Sequence, residues 1–199
     1  MGNELITEKE LTFTEEFKKI LKPTKTTLLF LLPLFIINII YSIFYTENDF
    51  QRYSLIIAGI FMLMTSIQDL NDKEVISFLL PPIYVSSFFY ITYNNNDHFF
   101  TMSSYIFNNL IIGGLTILIM YSLSLFLSVL LRKDTMGTGD YPVFFAMGII
   151  LNTEIGIGML IMSLSAIVYK IITKEEFIPL IPFIYFSIIS TLYLKEFVL

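Results

Sequence analysis

Cysteine is absent from the 199 residues, which excludes disulfides, thiol nucleophiles and zinc–cysteine sites. Histidine occurs once, as His98, in the polar loop Asn94-Asn95-Asn96-Asp97-His98. No further ligands cluster there, so this residue reads as a solvated loop histidine and not as part of a metal site. Charge is sparse, with 15% Asp, Glu, Lys and Arg and a net charge of −5. That balance gives no support for nucleic-acid binding. What the chain has in excess is apolar length: 55% of it is hydrophobic and its mean hydropathy is +0.74. A soluble domain of this size does not need so many long apolar runs.

A bilayer core takes about 20 apolar residues per helix. Candidate spans lie at 27–45, 53–68, 75–93, 105–131, 155–172 and 178–194, with a shorter run at 141–153 that suits a tilted helix or one shielded by protein. The expected fold is therefore all-α: a polytopic transmembrane bundle of about six to seven segments, with residues 27–199 forming one membrane-embedded domain. Residues 1–26 hold Lys9, Lys18, Lys19, Lys22 and Lys25 and no apolar core. They read as a charged lead-in on the membrane surface, not as a cleaved signal peptide. Thr12 and Thr14 followed by Glu15 and Glu16 suit a helix start.

Basic residues in short loops set orientation. With the N-terminus in the cytoplasm and seven crossings, the inner side holds the five lysines of the lead-in together with Lys73, Arg132, Lys133, Lys170 and Lys174. The outer side holds only Arg52 and Lys195. Asp69 and Asp140 both fall on the inner side, and they stay there if 141–153 does not cross.

Those two acids are the candidate chemistry. A carboxylate at the mouth of an apolar run is costly, so its default reading is functional. Asp69 ends one run in Gln68-Asp69-Leu70-Asn71-Asp72-Lys73-Glu74-Val75, and Asp140 opens another in Gly137-Thr138-Gly139-Asp140-Tyr141-Pro142. If the helices bearing them pack side by side, the acids sit at one depth. Two close carboxylates share a proton. The ionised member can activate a water against a peptide carbonyl while the protonated one holds the carbonyl oxygen, and the roles then reverse. Such a pair titrates as a unit and needs no metal or cofactor. Gly137 and Gly139 allow a sharp turn and close backbone approach to an extended peptide. Gly148, eight residues after Asp140, suits close helix packing, as does Gly113-Gly114.

Structural readings stand beside these. Asp140 with Pro142 makes a good helix start. Asp69 can cap a helix beginning near Val75 or pair with Lys73, one turn on. Asp72 is a rival to Asp69. Lys73 and Glu74 suit interfacial charges, and Pro81 and Pro82 suit a kink within a span.

Taken together the motifs resemble the type IV prepilin peptidase family, in particular its archaeal preflagellin and prepilin peptidases. Asp69-Leu70-Asn71-Asp72-Lys73-Glu74-Val75 looks like the family's first aspartate segment. Gly137-Thr138-Gly139-Asp140 with Gly148 looks like its Gly-x-Gly-Asp motif. Ile178-Pro179-Leu180-Ile181-Pro182-Phe183-Ile184 is similar to its late proline stretch, although it lacks the glycine of bacterial relatives. The resemblance runs from about 53 to 194. It implies an aspartic endopeptidase of the cytoplasmic membrane, with Asp69 and Asp140 as the catalytic pair and its site at the cytoplasmic face. The implied substrates are pilin or archaellin precursors with a short charged leader before an apolar helix. The absence of the extra N-terminal methylating domain and its cysteines implies peptidase activity without methyl transfer. No motif covers residues 1–45. Presenilin and signal peptide peptidase also use Gly-x-Gly-Asp, but Gln68 stands before Asp69 here and no Pro-Ala-Leu follows. A non-enzymatic carrier or assembly subunit is the other alternative, with the acids as caps or ion ligands.

Overall fold

Each apolar run holds a helix, with ends that differ from those of the run by up to six residues. The computed structural model describes residues 25–46, 48–72, 75, 77–92, 99–132, 136–174 and 177–197. Among these residues it is all-helical: α1 is Lys25–Tyr45, α2 Asp49–Asp72, α3 Leu80–Thr92, α4 Phe99–Leu131, α5 Asp140–Leu151, α6 Ile155–Thr173 and α7 Ile181–Phe197. His98, Lys73, Glu74 and the lead-in before Lys25 lie outside the described residues.

Three stretches are long and apolar enough to cross a membrane: Asp49–Asp72, Ser104–Leu130 and Asp140–Thr173. Leu29–Tyr45 and Ser77–Thr92 are shorter apolar helices. The third stretch is not one rod. Asn152 takes a φ of 47°, a turn of 3₁₀ helix follows at Asn152–Glu154, and Gly158 of α6 packs on Leu151 and Met147 of α5. A straight helix would hold residues 147 and 158 about 16 Å apart along its axis, so the chain bends sharply between α5 and α6.

Pro81 and Pro82 begin α3, directly after the 3₁₀ turn Ser77–Leu79. The expected mid-span kink is therefore a helix start. The physical reason is that first-turn N–H groups have no intrahelical partner, so proline loses nothing there.

The core is built around α7, which packs against α1, α2, α5 and α6. Ile181, Ile184, Tyr185 and Ile188 of α7 are buried, as are Val143, Phe144, Ala146 and Met147 of α5. The outward face is apolar: Leu29, Phe44, Phe107, Val129, Leu160 and Ile172 are all exposed. Such a surface suits lipid and not water. Several hydroxyls within the helices are satisfied by their own turns, although those of Ser66, Tyr185 and Thr191 are buried without a hydrogen bond. Ser42, Ser86, Ser87, Thr116 and Ser165 donate to carbonyls four residues back, which removes a polar cost in an apolar surrounding.

The two ends of the bundle differ. At one, Tyr41, Tyr45, Tyr193 and Phe197 stack with ring centroids 5.2–6.0 Å apart. Arg52 pairs there with Asp49 at 2.6 Å and donates to the carbonyls of Ser42 and Thr46. At the other end α4 and α6 stop at Arg132 and Lys174, which take left-handed φ values of 54° and 55°. Cations at helix C-termini meet the negative end of the dipole.

Candidate active site

Asp69 and Asp140 lie at this second end. Asp69 sits in the last turn of α2, and its side chain is turned inward; the residue is 6% exposed. Its Oδ2 accepts a hydrogen bond from the main-chain N–H of Ile181, at 3.0 Å, across 112 residues of sequence. The acid thereby reaches the start of α7. Asp72, the rival acid, is exposed.

Asp140 is the first residue of α5 and 8% exposed. It does not act as the N-cap: that position is Gly139, and no side chain caps the helix. Instead the turn closes on itself. Gly137 N–H donates to Asp140 Oδ2 at 2.9 Å, and Asp140 N–H donates to the Gly137 carbonyl at 3.1 Å. The backbone donor fixes the orientation of the carboxyl group.

Gly139 is required for space, whereas a β-carbon at Gly137 would make only an ordinary contact with Asp140 Oδ2, at 3.5 Å. No described glycine has a positive φ, and Gly139 is right-handed at φ −72° and ψ −17°. The expected turn forms at Gly137–Asp140, and it does so with ordinary helical dihedrals at Gly139. What excludes a side chain at Gly139 is Val75: an added β-carbon would lie 2.8 Å from Val75 Cβ. This contact joins the segment after Asp69 to the segment before Asp140. Gly148 is not at this end. It lies two turns into α5, where an added β-carbon would meet Thr116 Oγ1 at 2.6 Å and Gly113 Cα at 2.8 Å on α4. Gly113 shares that packing, whereas Gly114 faces open space.

The helices of the two aspartates do not chiefly pack on one another. The main neighbours of α2 are α1, α3 and α7, and those of α5 are α3, α4 and α7. The cause lies in α5, whose twelve residues are apolar around most of the helix and are wrapped on several sides. The pair is therefore brought to one end through shared neighbours and the Val75–Gly139 contact. Tyr121 of α4 packs on Tyr141 at 5.7 Å, and Tyr169 of α6 on Phe183 at 5.3 Å.

Two site-building residues were not legible as such in the sequence, Ile181 as a main-chain donor and Val75 as a wedge. Pro182 was the available signal for the first, because a proline in a first turn marks where unpaired N–H groups begin. Among the described residues no three of His, Cys, Asp and Glu come together as a metal site.

No curated protein and no solved structure matches the chain. The model of the type IV leader peptidase family matches residues 56–173. That stretch is more than half of the chain and contains Asp69, Gly137, Gly139, Asp140 and Gly148. A helical bundle with buried acids at one end, over the length that this model matches, makes the chain a member of the type IV leader peptidase family.

Proposed function

We propose that this membrane peptidase is an aspartic endopeptidase that removes the short leader of type IV pilin-like or archaellin precursors at the cytoplasmic face. Asp69 and Asp140 form its catalytic pair, and it needs no cofactor and carries no methyltransferase activity. The observation that carries this reading is the convergence of three separate segments at one end of the bundle. The Asp69 segment touches the Gly-x-Gly-Asp segment through Val75 and Gly139, and Asp69 bonds to the start of α7. An assembly of this kind costs free energy, because it keeps two carboxyl groups out of water, and chemistry gives it a purpose.

The mechanism is shared-proton hydrolysis. One carboxylate takes a proton from water, which attacks the scissile carbonyl, while the protonated partner hydrogen-bonds the carbonyl oxygen. The tetrahedral intermediate collapses as a proton passes to the leaving amine, and the pair returns to its starting state. An approach of the two carboxyl groups on substrate binding belongs to this proposal. So does the six- to seven-segment topology, in which crossings alternate and put Arg132 and Lys174 on the same side as the acids. Lysine and arginine on that side make it cytoplasmic.

The test is co-expression in membranes with a panel of prepilin and preflagellin precursors, read as leader loss on a gel. Asp69→Asn and Asp140→Asn are informative variants because each amide oxygen can still accept from Ile181 or Gly137, so the fold survives and only the acid is lost. Processing by wild type and by neither variant supports the pair. Undiminished processing by either variant removes it.

A further inference from the structure

We infer that the main-chain N–H of Ile181 is a positioning group for Asp69, so that the turn opening α7 is part of the reaction machinery; this rests on the reading of Asp69 as catalytic. The start of α7 leaves this donor for the acid. A helix begins with N–H groups that lack intrahelical partners. Here Pro182 has none to offer. Phe183 and Ile184 both donate to the Leu180 carbonyl at 3.0 Å. Ile181 N–H goes to Asp69 Oδ2 at 3.0 Å. Pro179, Ile181 and Pro182 are all buried, so the turn is held rigidly by packing and its donor is dry.

The geometry has a chemical consequence. One oxygen of Asp69, Oδ2, is held by the backbone, which restrains the carboxyl plane. A bond to a charged acceptor in a dry site is among the stronger ones, and its loss should appear in the chemical step more than in binding.

The experiment replaces residue 181 by the α-hydroxy acid analogue of isoleucine, which turns the N–H into an ester oxygen and keeps the side chain. The same replacement at residue 184 is the control. It removes a backbone bond of the same helix, to Leu180, that does not touch Asp69. The readouts are kcat and KM with a precursor that the wild type processes, and the carboxyl ¹³C resonance of Asp69, assigned by its disappearance in Asp69→Asn. The expected result is a fall in kcat of about tenfold or more at 181, with KM unchanged and the Asp69 resonance moved. The ester at 184 should alter neither. Equal loss of kcat at both positions, or an unmoved Asp69 resonance in the 181 ester, overturns the inference. Full activity in Asp69→Asn would instead strike at the catalytic reading itself, and with it this role.

Discussion

Alanine at position 148 probes how tightly the two helices behind the active end are held. The β-carbon it adds would stand 2.8 Å from Gly113 Cα and 2.6 Å from Thr116 Oγ1. Carbon atoms settle at about 3.5–4.0 Å, so α4 and α5 must part by about 0.7 Å or more along this seam. Backbone lies on one side of the clash and cannot rotate away. On the other, the Thr116 hydroxyl is tied to the Ile112 carbonyl at 2.8 Å, and moving it gives up a bond of about 1 kcal/mol. Overpacking of this kind costs about 1–3 kcal/mol, and Gly148→Ala belongs at the upper part of that range. Gly114→Ala is the internal standard, since nothing lies within 4 Å of its added carbon. It should stay within about 0.5 kcal/mol of wild type. Reversible unfolding in mixed micelles of rising SDS fraction, followed by circular dichroism, measures both. Adding Thr116→Ala to Gly148→Ala should return only part of the loss, because the contact with Gly113 remains. Equal stability of the 148 and 114 variants would refute the argument from close helix approach.

Gly139→Ala should lower leader removal strongly while leaving the protein inserted, because it drives Val75 out of place; Val75→Gly in the same chain should recover part of the rate in the gel assay. Gly59→Ala should destabilise by about 1–3 kcal/mol in the SDS titration, since its methyl would overlap the Asn38 amide, with the Tyr185 hydroxyl 3.1 Å away. Tyr41→Phe should change stability by less than about 0.5 kcal/mol, as its bond to Glu196 is long at 3.5 Å; a larger loss would show that this end is held by polar contact and not by ring packing.

Hydropathy located most of the fold because lipid-facing and core-facing positions are alike apolar, so a run ends where a helix ends. The runs 141–153 and 155–172 match α5 and α6 within two residues. Residues 53–68 fell short of α2, which runs to Asp72. Its final turns carry Gln68, Asp69, Asn71 and Asp72, and these lower the local hydropathy although Gln68 and Asp69 are buried. Both candidate acids were visible as carboxylates at the edges of apolar runs. Their surroundings were not. One partner of Asp69 is 112 residues away, and a backbone donor leaves no mark in side-chain identity. Likewise, the reason for Gly139 is a neighbour from another segment, Val75, and no local pattern contains it.

The bond between Asp69 and Ile181 also bears on how the protein is made. A chain inserted from its N-terminus places α2 in the membrane long before α7 has been synthesised. Until that last helix arrives, the buried acid has no backbone donor from it, and the end of α2 has strong reason to stay near water. Completion of the aspartate-bearing end is then a late event, coupled to the docking of α7 among α1, α2, α5 and α6. If Asp69 and Asp140 are the proposed pair, a half-inserted molecule would hold both in its sequence yet lack the arrangement in which they act.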